Sequence, residues 1–226
     1  MNIGLIPARG GSKGLPRKNI IDLNGLPLIA WSINAGLNSK HLDRIYVSTE
    51  DEEIAAVAEK HGAFVIPRPM ELAQDTTLSE PVFEHAIEFL KEQGIEIDKL
   101  CVLQPTSPLR TSDDIVQAFE SYDKNNAKCV LSVFEPKHTA AKAYKVNDDG
   151  SINGLLFDAA PYTRRQDLPT TYNPNGAIYL FSAKAFMETK LIPREKVFPL
   201  VMCESRSTDI DTIHDLKEVQ RVLSEM

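Results

Sequence analysis

The chain has 226 residues, 25 basic against 32 acidic, for a formal charge of −7 and a pI of about 5.3. Apolar residues at 42% and charged residues at 25% are ordinary for a globular domain large enough to bury its own core, which excludes disordered and fibrous classes. The acidic balance excludes a duplex nucleic-acid surface, because backbone affinity needs many Lys and Arg side chains on many phosphates, so any phosphate bound here must meet a local basic cluster.

In chain order, residues 2–8 form a short apolar run that predicts a strand, followed by a glycine-rich basic loop. Residues 27–38 predict a helix with Pro27 in its first turn, 42–48 a strand, 51–61 a helix stopped by Gly62, and 63–66 a strand. A helix over 81–93, a buried strand over 99–103, a helix over 112–122 and a strand over 128–134 continue the alternation. Such alternation implies βαβ crossovers, and so an α/β fold with a mostly parallel, doubly wound sheet. Residues 136–174 break the pattern with turn signals at 147–150, Pro161, Pro169 and Pro174, and read as an inserted hairpin or arm. Strand 176–181, helix 183–189, strand 197–202 and helix 212–223 then close a single domain spanning residues 1–226.

Four groups of residues carry chemistry. The loop ARGGSKGLPRKN, residues 8–19, holds Arg9, Lys13, Arg17 and Lys18 with no acid, and Gly10, Gly11 and Gly14 let backbone N–H groups face an anion. It matches neither the Walker A nor the dinucleotide glycine pattern, and Pro16 disfavours a helix directly after the glycines. In Asp209-Ile210-Asp211, an extended chain puts both carboxylates on one side, a hard oxygen pair suited to a Mg²⁺ that keeps waters and substrate phosphates as its other ligands. LQPTSPLR, residues 103–110, presents Gln104, Thr106, Ser107 and Arg110 in a proline-stiffened loop at a strand end, a substrate-binding position in open sheets. In and after the arm, Lys142, Arg164 and Arg165 offer cations for a carboxylate, reaching a neighbouring subunit if the arm extends away from its own domain. The acidic run 50–53 reads as dipole compensation at a helix start, and none of His61, His85, His138 and His214 shows ligand spacing.

Three cysteines, Cys101, Cys129 and Cys203, form no CxxC pair and imply neither disulfides nor zinc. With no apolar run near the ~20 residues of a membrane span and no basic leader before an apolar stretch, the expected location is cytoplasmic, with no membrane partner.

Six blocks, IPARGGSKGLPRKN, RPMELAQDTTLS, LQPTSPLR, RRQDLP, NPNGAIY and STDIDT, occur in one order from Ile3 to about Asp215. In this the chain resembles the CMP-N-acylneuraminate cytidylyltransferases, the CMP-sialic acid synthetases of bacteria. The resemblance implies a Rossmann-like nucleotidyltransferase fold with residues 136–174 as a dimerisation arm, a homodimer, Mg²⁺ dependence, and transfer of CMP from CTP to a nonulosonic acid with release of pyrophosphate. It implies Ala8, Arg9, Ser12, Lys13 and Lys18 around the triphosphate, Asn19 near the ribose, and Arg68 and Ser79 at the cytosine. Gln104, Asn175 and Tyr179 line the implied sugar pocket, Lys142 and Arg165 reach the sugar carboxylate from the partner subunit, and Asp209 and Asp211 hold the metal. Lys13, Lys18 and Asp211 are the implied catalytic groups, and the chain corresponds to the catalytic domain without the C-terminal extension of some members. Asn173 stands where some sialic-acid-specific members have arginine, and residues 188–193 lack their paired aromatics, so legionaminic and pseudaminic acids are alternative acceptors. GGSKGLPRKN tilts toward the sialic or legionaminic side. A CMP-Kdo synthetase and a non-catalytic nucleotide-binding module are further alternatives.

Overall fold

The computed structural model describes residues 1–12 and 14–225. The chain runs β1 (Asn2–Pro7), a hairpin of β2 (Asp22–Leu23) and β3 (Leu26–Pro27), α1 (Leu28–Leu37), β4 (Arg44–Thr49), α2 (Glu52–Lys60), β5 (Phe64–Pro67) and α3 (Ser79–Glu92). It continues through β6 (Lys99–Val102), α4 (Ser112–Lys124), β7 (Cys129–Phe134), β8 (Tyr144–Val146), β9 (Ile152–Gly154), β10 (Asn173–Ser182), α5 (Ala183–Thr189), β11 (Val197–Val201) and α6 (Ile213–Glu225). Seven strands form one sheet in the order β11-β7-β10-β6-β1-β4-β5. All pairings are parallel except those of β10, which runs antiparallel to both β6 and β7.

The strands read as apolar on both faces because both are covered. Along β1 the two-residue period sends Ile3 and Leu5 to one side and Ile6, with Ala8 just beyond, to the other. The first side packs on α3 and α5 through Phe83, Leu90 and Phe186; the second packs on α1, α2 and α4 through Ile29, Ile33, Ala58 and Phe119. A smaller cluster of Leu15, Leu23, Leu28, Leu109, Ile210, Leu216 and Val219 seats α6 beneath the basic loop.

The chain-order reading holds for these elements within a few residues, with two differences. Residues 173 and 174, expected in the arm, already belong to β10, which pairs Asn173 with Phe134. The short hairpin of β2 and β3 was not anticipated, although its turn, Asn24-Gly25 with φ of 52° and 85°, is a left-handed pair that these residue types favour. Within the arm, β8 and β9 pair across the turn at 147–150, where Gly150 N–H donates to the Asn147 carbonyl. Because β10 is antiparallel, its beginning lies at the same sheet edge as the C-terminal ends of β1, β4, β5, β6 and β7. The loops after those strands and the start of β10 therefore share one rim.

Phe181 of β10 is fully buried and meets Phe83 and Phe186 at ring-centroid distances of 6.2 and 5.5 Å. Phe181→Ala should cost about 3–5 kcal/mol in guanidinium unfolding; a loss below about 1 kcal/mol would mean that the core collapses to fill the space.

Candidate active site

Two adjoining cavities open on that rim. The first, about 220 Å³, is lined by Pro7, Arg9, Lys18, Asn19, Arg68, Ser79 and Thr106 among others. The second, about 320 Å³, is lined by Pro174, Asn175, Gly176, Tyr179, Ser207 and Asp209. Gln104 lines both, so its side chain stands between them.

The walls of the first cavity are basic. Arg9 pairs with Asp75 at 2.7 Å, and Asn19 Nδ2 donates to the Arg9 carbonyl at 2.8 Å while its Oδ1 is buried with no partner among the described residues. Arg68 is buried and donates from Nε and Nη2 to the hydroxyl and carbonyl oxygens of Ser48. With no carboxylate in contact among the described residues, burial pulls its pKa down to about 10, Glu50 opposing this and Arg9 adding to it. Ser79 opens α3, whose N-cap residue, Leu78, supplies no side-chain cap, so backbone N–H groups of that first turn are free to face the cavity. Ala8 is buried, its N–H donating to the Ser48 carbonyl; Ser12 is partly exposed, and Lys13 lies outside the described residues.

The basic loop is held differently from what its composition implies. Arg17 does not face the cavity: its guanidinium donates to both oxygens of Asp51 and to Glu53. Gly10 N–H donates to Glu50 Oε1 at 2.7 Å. The acidic run is thus only in part a helix-start feature. Asp51 does cap α2, accepting from Glu53 and Ile54 N–H, but Glu50 and Asp51 also anchor the loop. Two loop glycines are required by close approach: a β-carbon on Gly10 would collide with the Asp51 carboxylate, and one on Gly14 with the Asp211 carbonyl.

Opposite the loop, residues 207–211 run as irregular chain, Ile210 fully buried between the two aspartates. Ile210 N–H donates to the Thr106 carbonyl at 2.9 Å. Desolvation pushes the Asp209 carboxyl above its ordinary value although part of its surface stays open; a Thr106 hydrogen bond and the Lys18 charge oppose the shift, and Asp211 and Asp215 add to it. Asp211 receives Lys18 Nζ at 2.8 Å. Among the described residues no three His, Cys, Asp or Glu side chains gather as a metal group, so any ion here has two aspartates and must find its other ligands elsewhere.

In the second cavity Tyr179 is half-buried, and desolvation, then the Asp209 charge, raises its hydroxyl pKa. Asn175 lines the wall, but its amide is already engaged, donating to Ser207 Oγ at 2.9 Å and accepting from Ala177 N–H at 3.2 Å. Arg110 is 2% exposed and points inward, Nη1 on the Ser107 carbonyl, so of the polar residues in the 103–110 motif Gln104 and Thr106 reach the cavities. Lys142 and Arg165 line neither cavity; Arg165 donates to the Lys137 carbonyl within the arm and to Glu135 just before it. Sequence reasoning did not single out Leu72, Gln74, Thr77 and Val82, which complete the first cavity beside Arg68 and Ser79 and lie within or just after the RPMELAQDTTLS block.

The fold is that of the nucleotidyltransferases. A solved CMP:2-keto-3-deoxy-manno-octonic acid synthetase complexed with CTP superposes with a TM-score of 0.70 over 99% of this chain and 98% of that one, at 18% identity. Residues 3–226 match the cytidylyltransferase family model, and the chain belongs to that family. A pseudaminic acid cytidylyltransferase of Campylobacter jejuni is 40% identical over 96% of this chain and 93% of its own length. An N-acylneuraminate cytidylyltransferase of Escherichia coli is 32% identical over 95% of this chain and 50% of its own.

Asp51 joins α2 to the loop, and hydrogen bonds from Arg17 above all hold its carboxyl down at about 2, against burial that opposes them. Since the folded value is depressed, this stabilisation is complete above the unfolded value near 4 and is lost as pH falls toward 2. Asp51→Asn should therefore cost up to about 2 kcal/mol at pH 7 and progressively less between pH 4 and 2 in chemical unfolding; a pH-independent difference would mean that the Arg17 pairing contributes nothing.

Proposed function

We propose that this protein transfers CMP from CTP to the anomeric 2-hydroxyl of a nonulosonic acid, giving the CMP-sugar acid and pyrophosphate. The observation that carries the reading is the pair of cavities parted by Gln104, one basic and the other bounded by Asp209 and Tyr179, in a chain whose relatives are named for this chemistry. Arg9, Lys13 and Lys18 take the triphosphate, Asn19 the ribose, and Arg68 and Ser79 the base. Gln104, Asn175 and Tyr179 shape the acceptor pocket, with Asn175 acting through the strand start it fixes.

In the reaction the 2-hydroxyl oxygen forms a bond to the α-phosphorus as the bond to pyrophosphate breaks. Positioning and charge neutralisation by the loop cations supply most of the acceleration. Asp211 accepts the hydroxyl proton. Asp209 and Asp211 fit a Mg²⁺, being a hard oxygen pair beside a phosphate-sized basic cavity; when bound, the ion would neutralise charge developing on the phosphate oxygens.

A homodimer is supported by the arm, whose Val146 is 75% and Tyr162 82% exposed beside exposed Ile152, Leu155, Leu156 and Phe157. Lys142 and Arg165, which line neither cavity of their own chain, then serve the acceptor carboxylate of the partner's site. We place the enzyme in the cytoplasm; no helix among the described residues is long and apolar enough to cross a membrane. Among acceptors, the identities of 40% and 32% tilt toward pseudaminic acid, against the tilt of the GGSKGLPRKN loop. Release of pyrophosphate from CTP and Mg²⁺ with a panel of sialic, legionaminic, pseudaminic and Kdo acids tests the reading, which fails if no nonulosonic acid supports turnover.

Two variants test the roles. Asp211→Asn should lower kcat by about 10²-fold or more; near-normal turnover at saturating Mg²⁺ would remove Asp211 from the chemistry. Mixing Arg165→Ala with Asp209→Ala, each inactive alone, should restore partial activity in hybrid dimers, and no recovery would argue that each site is complete within one chain.

A further inference from the structure

We propose that Lys18 is the resident cation of the aspartate pair while no nucleotide is bound, so that its ammonium is shared in turn between Asp211 and the phosphates and couples nucleotide binding to divalent-cation binding. This rests on the reading above that Asp209 and Asp211 hold a divalent cation.

The geometry is specific. Lys18 Nζ lies 2.8 Å from Asp211 Oδ1, and the lysine side chain is 15% exposed against 71% for the aspartate. The lysine is therefore part of the cleft wall, and the carboxylate is the partner with room to accept another ligand. The backbone of Lys18 is pinned on both sides, its N–H donating to the Leu15 carbonyl and its own carbonyl accepting from Ile21 N–H, both at 3.2 Å. What can change is the direction of the side chain, and that side chain already lines the basic cavity with Arg9 and Arg68. Its two destinations lie within reach of one fixed Cα.

Charge explains why the destinations compete. Asp209, Asp211 and Asp215 converge on seven residues of chain, and Asp215 is occupied by the N–H groups of Asp211 and Thr212 at 3.1 and 2.7 Å. Among the described residues Lys18 is the cation paired with Asp211. A triphosphate entering the basic cavity brings several negative charges and draws the ammonium toward itself. The aspartates left behind then repel one another unless a cation replaces it, and two carboxylate oxygens next to phosphate oxygens suit a small hard one. Conversely, a divalent cation on Asp211 frees Lys18 for the phosphates. Linkage requires the two effects to be equal in size, and each ligand prepares the site for the other.

Mn²⁺ without nucleotide is the direct probe, its binding read by electron paramagnetic resonance. Lys18→Met should bind it about five- to tenfold more tightly than wild type, in the usual range of coupling between sites, and adding Asp211→Asn should abolish the gain. A second measurement needs no variant: acetic anhydride labelling of the wild-type protein, read by mass spectrometry, should accelerate at Lys18 as Mn²⁺ saturates while exposed Lys145 is unchanged. Equal Mn²⁺ affinity in wild type and Lys18→Met, or Lys18 labelling indifferent to Mn²⁺, overturns the proposal and leaves the metal site intact. Mn²⁺ binding unaffected by Asp209→Asn and Asp211→Asn together overturns the metal site itself, and the proposal with it.

Discussion

The ion pair between Asp114 and Arg206 fixes the stretch on which the cleft depends. Residues 202–211 carry both aspartates and have no strand to hold them, yet Arg206 grips Asp114 with both guanidinium nitrogens at 2.7 and 3.0 Å. Asp114 is 3% exposed. Burial works against its ionised form, but hydrogen bonds from Arg206 and Thr111 outweigh it and keep the carboxyl below its ordinary range. A pair of this kind adds little net stability, but removing one partner strands a buried charge at about 3–5 kcal/mol. The same carboxylate closes the capping box with Thr111 that starts α4, so one side chain sets both a helix start and the neighbouring turn. From that anchor, Asn175 holds Ser207 and the Thr106 carbonyl holds Ile210. Each contact joins the final segment to a different part of the rim, which is how aspartates near the end of the chain come to face a loop near its beginning.

The second constraint is the distribution of charge across that gap. Four basic residues in a short loop of an acidic chain suggest an undivided anion cradle. The fold spends one of them, Arg17, on Asp51 and Glu53, and lends another, Lys18, to Asp211. Arg9, paired with a partly exposed Asp75, and Arg68, with no carboxylate in contact among the described residues, stay at the cavity. The anchoring of Arg17 is not wasted on the site: it holds the end of the loop against α2, and Gly10 N–H on Glu50 holds the beginning, so the residues between them bridge two fixed points.

Much of the scaffold was legible because periodicity is a local property. The alternating apolar runs of β1 and β6, the Asp51 cap of α2 and the helix over Ala183–Thr189 follow from neighbours in sequence. The direction of β10 was not legible, since a run of apolar residues does not reveal whether its neighbours run parallel to it. Partner choice was not legible either. Arg17 finds Asp51 34 residues away and Arg206 finds Asp114 92 residues away, and nothing local marks either pairing. Arg110 looked like a cavity residue and lies buried beneath its own loop, while Asn175, expected to line the sugar pocket, does line the second cavity but with its amide bound to Ser207. Motif order alone does not separate residues that face the gap from those that hold others in place; the folded chain does.

The arm completes the picture by contrast. Its residues satisfy their polar groups internally, with Thr139 bonded to Thr171 and Arg164 to Asp167, yet it leaves Val146, Ile152, Leu155, Leu156, Phe157 and Tyr162 facing outward. Exposed apolar side chains grouped on one insertion suit contact with another protein surface, which is what the proposed dimer would supply. The arm also carries the two cations, Lys142 and Arg165, that the resemblance assigned to the acceptor and that the cavities of the same chain lack. Under the proposed dimer these are one fact: burying the arm's apolar face against a second copy is the step that would bring a carboxylate-binding cation to a pocket whose own walls, Asp209 and Tyr179, repel or merely bound an acidic sugar. Acceptor recognition and assembly would then be a single event, with the nucleotide side of the cleft built by each chain alone.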